Sequence, residues 1–229
     1  MKHNEDVNDL NLSIPQRLQA AFLLTDIQSR AKGILTSGAT VTSLVIQKHP
    51  CENDQRNGNK KRSKSSSSRT TGITIYSANC GDGRSVLCKR DVTSESPSYT
   101  ATRLSHDHKA DDPEEITRIE QAGGFVVRGR VLGILAVARS LGDHGMKDFV
   151  VSEPFVSATN VDFGGDEEAV FVICACDGVW DVMEDDEAVA VVLECAGSDK
   201  EKRQAAQALA DEALKKKSTD NVTVVVGWF

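Results

Sequence analysis

Apolar positions along the chain recur with two periods, one of about 3.6 residues and one of two, and the changes between them mark out the elements. Leu18, Ala21, Phe22 and Ile27 fall near one helical face, Leu18 three and four residues before Ala21 and Phe22 and Phe22 five before Ile27, so IPQRLQAAFLLTDIQSRAK predicts an amphipathic helix from Ile14, with Gly33 placed to close it. VTSLVIQ, from Val41, alternates with β-branched residues and predicts a half-buried strand. ITIYSANC and RSVLCKR predict two more strands. The GDG between them is a hairpin signature in which Gly81 and Gly83 admit tight backbone conformations. Asp112 is placed to cap a helix with Pro113 first, Glu115 third and Gly123 at its end. FVVRGRVLG and ILAVARSLGD read as short β-like pieces, and AVFVICAC, apolar nearly throughout, as a fully buried strand. VWDVMEDDEAVAVVLECA and SDKEKRQAAQALADEALKKK predict helices, the second with a serine cap, early acids and a lysine-rich last turn suited to the helix dipole. The closing STDNVTVVVGWF predicts a strand.

Two segments carry no period. Residues 1–13 form a polar tail, and residues 48–70 form a Ser-rich insertion in which Lys48, Arg56, Lys60, Lys61, Arg62, Lys64 and Arg69 make a basic, solvated loop. The remainder, 14–229, reads as one domain. Hairpin-like strands with helices before, between and after them fit an α+β sandwich better than a βαβ repeat.

Composition supports a buried core, since 39% of the 229 residues are hydrophobic against 27% charged. The net charge of −7 gives no overall attraction to nucleic acid or anionic lipid, so partners must be met through local sites. The N-terminus has no signal-like apolar stretch, and no apolar run reaches the ~18 residues that cross a bilayer, which makes a cytoplasmic or nuclear protein the expectation. Six cysteines without a CxxC pair read as small buried hydrophobes in a reducing compartment.

The candidate chemistry lies in where aspartates stand relative to the apolar runs. Asp177 ends AVFVICAC, Asp220 opens NVTVVV, Asp82 occupies the turn after ITIYSANC, and Asp181 lies one helical turn past Asp177. An Asp beside a Gly at a strand end is commonly a turn residue. Several at the ends of buried strands can converge, and clustered carboxylates repel unless a cation separates them. Oxygen-only clusters suit hard ions such as Mg²⁺ or Mn²⁺. The five histidines show no metal-ligand spacing, His106 and His108 read as strand or turn, and GxxxxGK is absent.

Taken in order, SGATVTSLVI, ANCGDGRSVL, LSHDHKADDPEEITRIEQAGG, LAVARSLGD, FVICACDGVWDVM and STDNVTVVV resemble the motif series of the metal-dependent protein phosphatases, the type 2C serine/threonine phosphatases. The resemblance spans roughly residues 18–228. It implies two packed antiparallel sheets flanked by helices, phosphoprotein substrates, and a Mg²⁺ or Mn²⁺ centre that activates water for attack on phosphoserine or phosphothreonine. It implies core metal ligation by Asp177 and Asp220, a weaker third position at Asp82 and Asp181, and a substrate-side flap at about residues 109–143. Two departures qualify it. The family's GDSR reads GDGR here, with Gly83 for the serine, and the family's DGHGG and early Arg-and-acid motifs are not found in the sequence. The expectation is therefore a type 2C domain without its N-terminal strands and with part of its metal site missing. The alternative is a non-catalytic pseudophosphatase that acts as a protein-binding module.

Overall fold

A computed structural model describes residues 12–50 and 70–229 of the chain. Strand alternation explains how its layers form. In β3 (Thr70–Cys80) Ile73 and Ile75 point one way, while Ala78 and Cys80 point the other. β4 (Arg84–Asp91) sends Leu87 inward, and sends Val86 and Cys88 to its opposite face. The inward sets, with Leu104, Val161 and Val172, fill the space between two sheets. β2 (Val41–Pro50), β3 and β9 (Phe155–Asp162) make one antiparallel sheet in the order β2-β3-β9. The other is β11 (Val224–Trp228), β10 (Glu167–Ala175), β4 and β5 (Ser98–Arg103), in that order and also antiparallel.

A helical layer covers each outer face. α1 (Ile14–Ala31) packs Phe22 and Leu18 on Ala78 and Cys80, and is pinned by buried Asp26, whose Oδ1 accepts from Gly142 N–H at 2.7 Å and Lys147 Nζ at 3.0 Å. On the far side α3 (Asp177–Trp180), α4 (Asp185–Leu193) and α6 (Ala205–Lys215) lay Val179, Trp180, Val189, Val192 and Leu209 over Val86, Phe171 and Ile173. α2 (Pro113–Gln121) is capped by the Asp112 carboxylate, which accepts from Glu114 and Glu115 N–H, and seats Ile119 in a small satellite core with Ala110, Val131 and Val150. Its Glu115, almost fully buried, is held by Arg139 at 2.6 Å and Arg118 at 2.7 Å.

The α+β sandwich of two antiparallel sheets flanked by helices is as expected, with several differences in detail. The two strands flanking GDG do not pair with each other. They lie in opposite sheets, because the inward apolar sets of β3 and β4 meet face to face across the interlayer rather than edge to edge. FVVRGRVLG and ILAVARSLGD yield only two-residue strands, β6 (Val126–Val127), β7 (Arg130–Val131) and β8 (Leu141–Gly142), with β8 paired to β1 (Gly38–Ala39). The predicted helix after Asp177 breaks into α3 and α4, where Glu184 starts a new helix with its own capping box. The last predicted helix divides likewise into α5 (Asp199–Lys202) and α6. The sequence does not predict β5, since SYTATR carries almost no apolar alternation and is exposed along most of its length. Cys80 and Cys88 are buried as expected, and burial pushes both thiols up to about 12. Cys174, Cys176 and Cys195 are partly buried, and Cys51 lies outside the described residues, as do the polar tail up to residue 11 and most of the basic insertion. No helix among the described residues is long and apolar enough to cross a membrane.

Candidate metal centre

Strand register brings the acids to one place. Ala175 at the end of β10 lies opposite Val224 at the start of β11 and opposite Arg84 at the start of β4. Asp177, Asp220 and Asp82 each stand a few residues beyond that row, so all three emerge at the same end of the sandwich.

The Asp82 corner is tight. Gly81 has φ +119°, and a Cβ there would fall 2.3 Å from Thr40 Cγ2; one on Gly83 would fall 2.8 Å from Thr42 Oγ1. The loop after β5 lies across this corner. His108 N–H donates to Gly81 O at 2.9 Å, and Asn79 Nδ2 donates to both Gly81 O and His106 O, at 2.9 and 2.7 Å. His108 itself is buried, which drives it down to about 4 and keeps it neutral, and its Nε2 has no hydrogen-bond partner.

The Asp177 and Asp220 loops are stitched together. Cys176 Sγ donates to Asn221 O at 3.2 Å and accepts from Thr223 N–H at the same distance, while Ser218 Oγ donates to Gly178 O at 2.6 Å. A Cβ on Gly178 would lie 2.3 Å from Asn221 O, so the motif's glycine is what lets the two loops touch. Trp180 Nε1–H donates to Ala175 O at 2.9 Å and fixes the turn between β10 and α3.

Asp82 is 9% exposed, has no side-chain partner, and has only its own backbone as a stabilising hydrogen bond. Burial, then the charge of Asp177, pushes its carboxyl up to about 6. Asp177 is raised by burial, then by Asp220 and Asp181. Asp177 thus feels both Asp220 and Asp181, and Asp82 feels Asp177 and Asp181. Asp181 differs in being half exposed and engaged by Lys109 Nζ at 2.5 Å. Asp220 is exposed, and its Oδ1 accepts from Asn221 N–H at 2.6 Å.

These residues fit a hard cation by chemistry. They offer oxygen only, they repel, and one of them is buried with no ion-pair partner. Among the described residues no three His, Cys, Asp or Glu side chains are already gathered into a cation cage, so the set is open.

The family model described as Protein phosphatase 2C matches residues 2–222. The chain belongs to the protein phosphatase 2C family. It is 44% identical over 152 residues to Protein phosphatase 2C homolog 1 of Schizosaccharomyces pombe, covering 66% of this chain and 40% of that one. Protein phosphatase 2C homolog 1 of Saccharomyces cerevisiae is 41% identical, over 66% of this chain and 48% of its own length. The chain thus spans less than half the length of these curated relatives. Among solved structures, a C. elegans sex-determining protein superposes with a TM-score of 0.71 at 24% identity, over 98% of this chain and 49% of that one. The serine-threonine phosphatase 2C of Toxoplasma gondii gives 0.65 at 18%, over 100% and 76%. Both are similar in fold.

Sequence reasoning on this phosphatase 2C domain overlooked the basic half of the corner. Arg84, the arginine of GDGR, donates to both Asp107 oxygens from Nε at 3.1 and 3.0 Å, and from Nη1 to Asp185 Oδ1 at 2.5 Å. It also stacks on Trp180, 4.9 Å from the ring centroid. Arg103 adds a second pair to Asp185. Arg84 and Lys109 stand inside the quoted GDGR and DHK strings, and an arginine two residues from a corner acid was the available signal.

Proposed function

We propose that this chain carries the phosphatase 2C reaction, hydrolysis of phosphoserine and phosphothreonine on phosphoproteins, at the acidic corner. The observation that supports this most directly is Asp82, a buried carboxylate that feels the charge of Asp177 and has no ion-pair partner. In this reading Asp177 and Asp220 hold the core Mg²⁺ or Mn²⁺ position, and Asp82 with Asp181 flank a weaker one. Mg²⁺ or Mn²⁺, when bound, supplies an activated water and a clamp on the phosphoryl oxygens. The chain's own part is positional. The Cys176–Thr223 and Ser218–Gly178 contacts keep Asp177 and Asp220 side by side. The Arg84–Asp107 pair fixes the Asp82 corner against the loop that carries Lys109. Buried, neutral His108 supports that loop from beneath through Gly81.

The open arrangement of the acids favours a second reading, a pseudophosphatase that binds protein partners without turnover. Phosphate release from a phosphothreonine peptide with Mn²⁺ decides between them. Release by the 229-residue chain that stops with EDTA and with Asp177→Asn is the expected result. Folded protein that releases none, and whose partner binding survives Asp177→Asn, would establish the second reading.

A further inference from the structure

Lys109 brings a positive charge to Asp181, Asp82 and Asp177. Its Nζ lies 2.5 Å from Asp181 Oδ1, and its field also reaches Asp82 and Asp177. Its backbone is fixed, because Lys109 bridges to Val137 as an antiparallel partner and Ala110 N–H donates to Ala136 O at 2.8 Å. The other cation in this neighbourhood, Arg84, is fully engaged by Asp107 and Asp185 and has no reach to spare. A lysine ammonium is a compact point charge with three donors, so it sits in a carboxylate cluster much as a bound ion does.

We propose that the Lys109 ammonium competes with divalent cations for the space between Asp82 and Asp181, so that an ion enters there only by displacing it. The pair is separable. Lys109 and Asp181 side chains are 38% and 53% exposed, and ion pairs of that exposure contribute little net free energy. A divalent ion gains both Asp181 and Asp82 on entry, whereas the ammonium is bonded to Asp181 alone. The outcome is a concentration threshold for cation binding rather than a block. The proposal rests on reading this corner as a cation centre and adds to it that the chain sets its own threshold.

The test is Mn²⁺ binding to the full chain, followed by loss of the free-Mn²⁺ EPR signal and by calorimetry, with no substrate present. Lys109→Gln and Lys109→Met, which remove the charge at a partly exposed position, are expected to bind the weaker class of Mn²⁺ about three- to tenfold tighter than the unaltered chain. Lys109→Arg, which keeps a charge, is expected to stay within about twofold of it. Circular dichroism confirms that each variant is folded. Equal affinity in all four proteins overturns the role of Lys109 while leaving the cation centre intact, and weaker binding in the neutral variants overturns it by showing that Lys109 assists the ion. No Mn²⁺ bound by any of them overturns the cation centre itself, and the inference with it.

Discussion

The chain changes sheets at two acidic corners, and the two behave differently. One is the β3–β4 corner with Asp82; the other is the β9–β10 corner with Asp162, Asp166 and Glu167. Because Asn79 pairs with Phe155 and Gly72 with Asp162, the corners lie at opposite ends of the sandwich, roughly 25 Å apart along the strands. The far corner holds a cleft of about 360 Å³, lined by Lys89, Asn160, Asp162, Asp166 and Glu167. Its acids are exposed to water, and its strands carry the ion pairs Lys89–Glu167 and Arg90–Glu168. Hydration and pairing satisfy those charges, so the cleft has no unmet electrostatic demand. At the near corner a carboxylate is buried, repelled by a second, and left without a partner. Unsatisfied charge is what sets the proposed centre apart from the hydrated acids of the far corner.

The sharpest way to break the contrast is to unpair the satisfied acids of the near corner. Arg84→Met leaves Asp107 and Asp185, both mostly buried, without their main partner. Removing one member of a buried ion pair costs about 3–5 kcal/mol, and the expected loss in urea unfolding is of that size, at the lower end because Arg103 still holds Asp185. A loss below about 1 kcal/mol would show that these carboxylates rehydrate as freely as those of the far corner.

The opposite substitution sharpens it. Asp82 has its folded pKa raised to about 6 from the ordinary 3.8, so the folded state holds the proton more tightly than the unfolded one. The sign follows. Well below pH 3.8 both states are protonated and there is no penalty; the penalty builds between about pH 4 and 6 and is constant above that. Asp82→Asn removes it, and the metal-free variant is expected to be about 1–3 kcal/mol more stable than the unaltered chain at pH 7–8, the gain shrinking to nothing well below pH 3.8. His108, held down to about 4, titrates in both proteins and cancels in the difference. Millimolar Mn²⁺ is expected to raise the melting temperature of the unaltered chain and to raise that of Asp82→Asn less, since only the former gains the buried ligand. A variant no more stable than its parent at pH 8 would mean that Asp82 already has a solvent path.

How far these corners were legible in the sequence follows from the range of each signal. The acids themselves were visible, because Asp82, Asp177 and Asp220 each abut an apolar run, and the nearly continuous apolar character of AVFVICAC and the β-branched residues of NVTVVV placed β10 and β11. The pairing of the strands was not. GDG between two β-like runs reads as a hairpin, yet a chain crossing from one sheet to the other uses the same glycines, and only the facing of Ile73, Ile75 and Leu87 across the interlayer separates the two cases. β5 escaped for a related reason, its residues owing their conformation to the ladder with β4 rather than to their own apolar pattern. Arg84 was readable as a residue but not as a clamp, since Asp107 and Asp185 come to it from 23 and 101 residues away.

The far corner supplies the smallest effect and the control on all the others. Lys89→Met breaks the pair with Glu167, whose side chain is 52% exposed, and the freed carboxylate turns to water. Exposed pairs contribute about 0–1 kcal/mol, so the expected change in unfolding free energy is below about 0.5 kcal/mol, with no change in the Mn²⁺ shift of the melting temperature. If that shift did change, the acids of the β9–β10 corner would be taking up the cation as well. The contrast between a hydrated acidic cleft and a buried unpaired carboxylate would then fail at its base, because exposed Asp162 and Asp166 would be ligands without any of the burial that sets Asp82 apart.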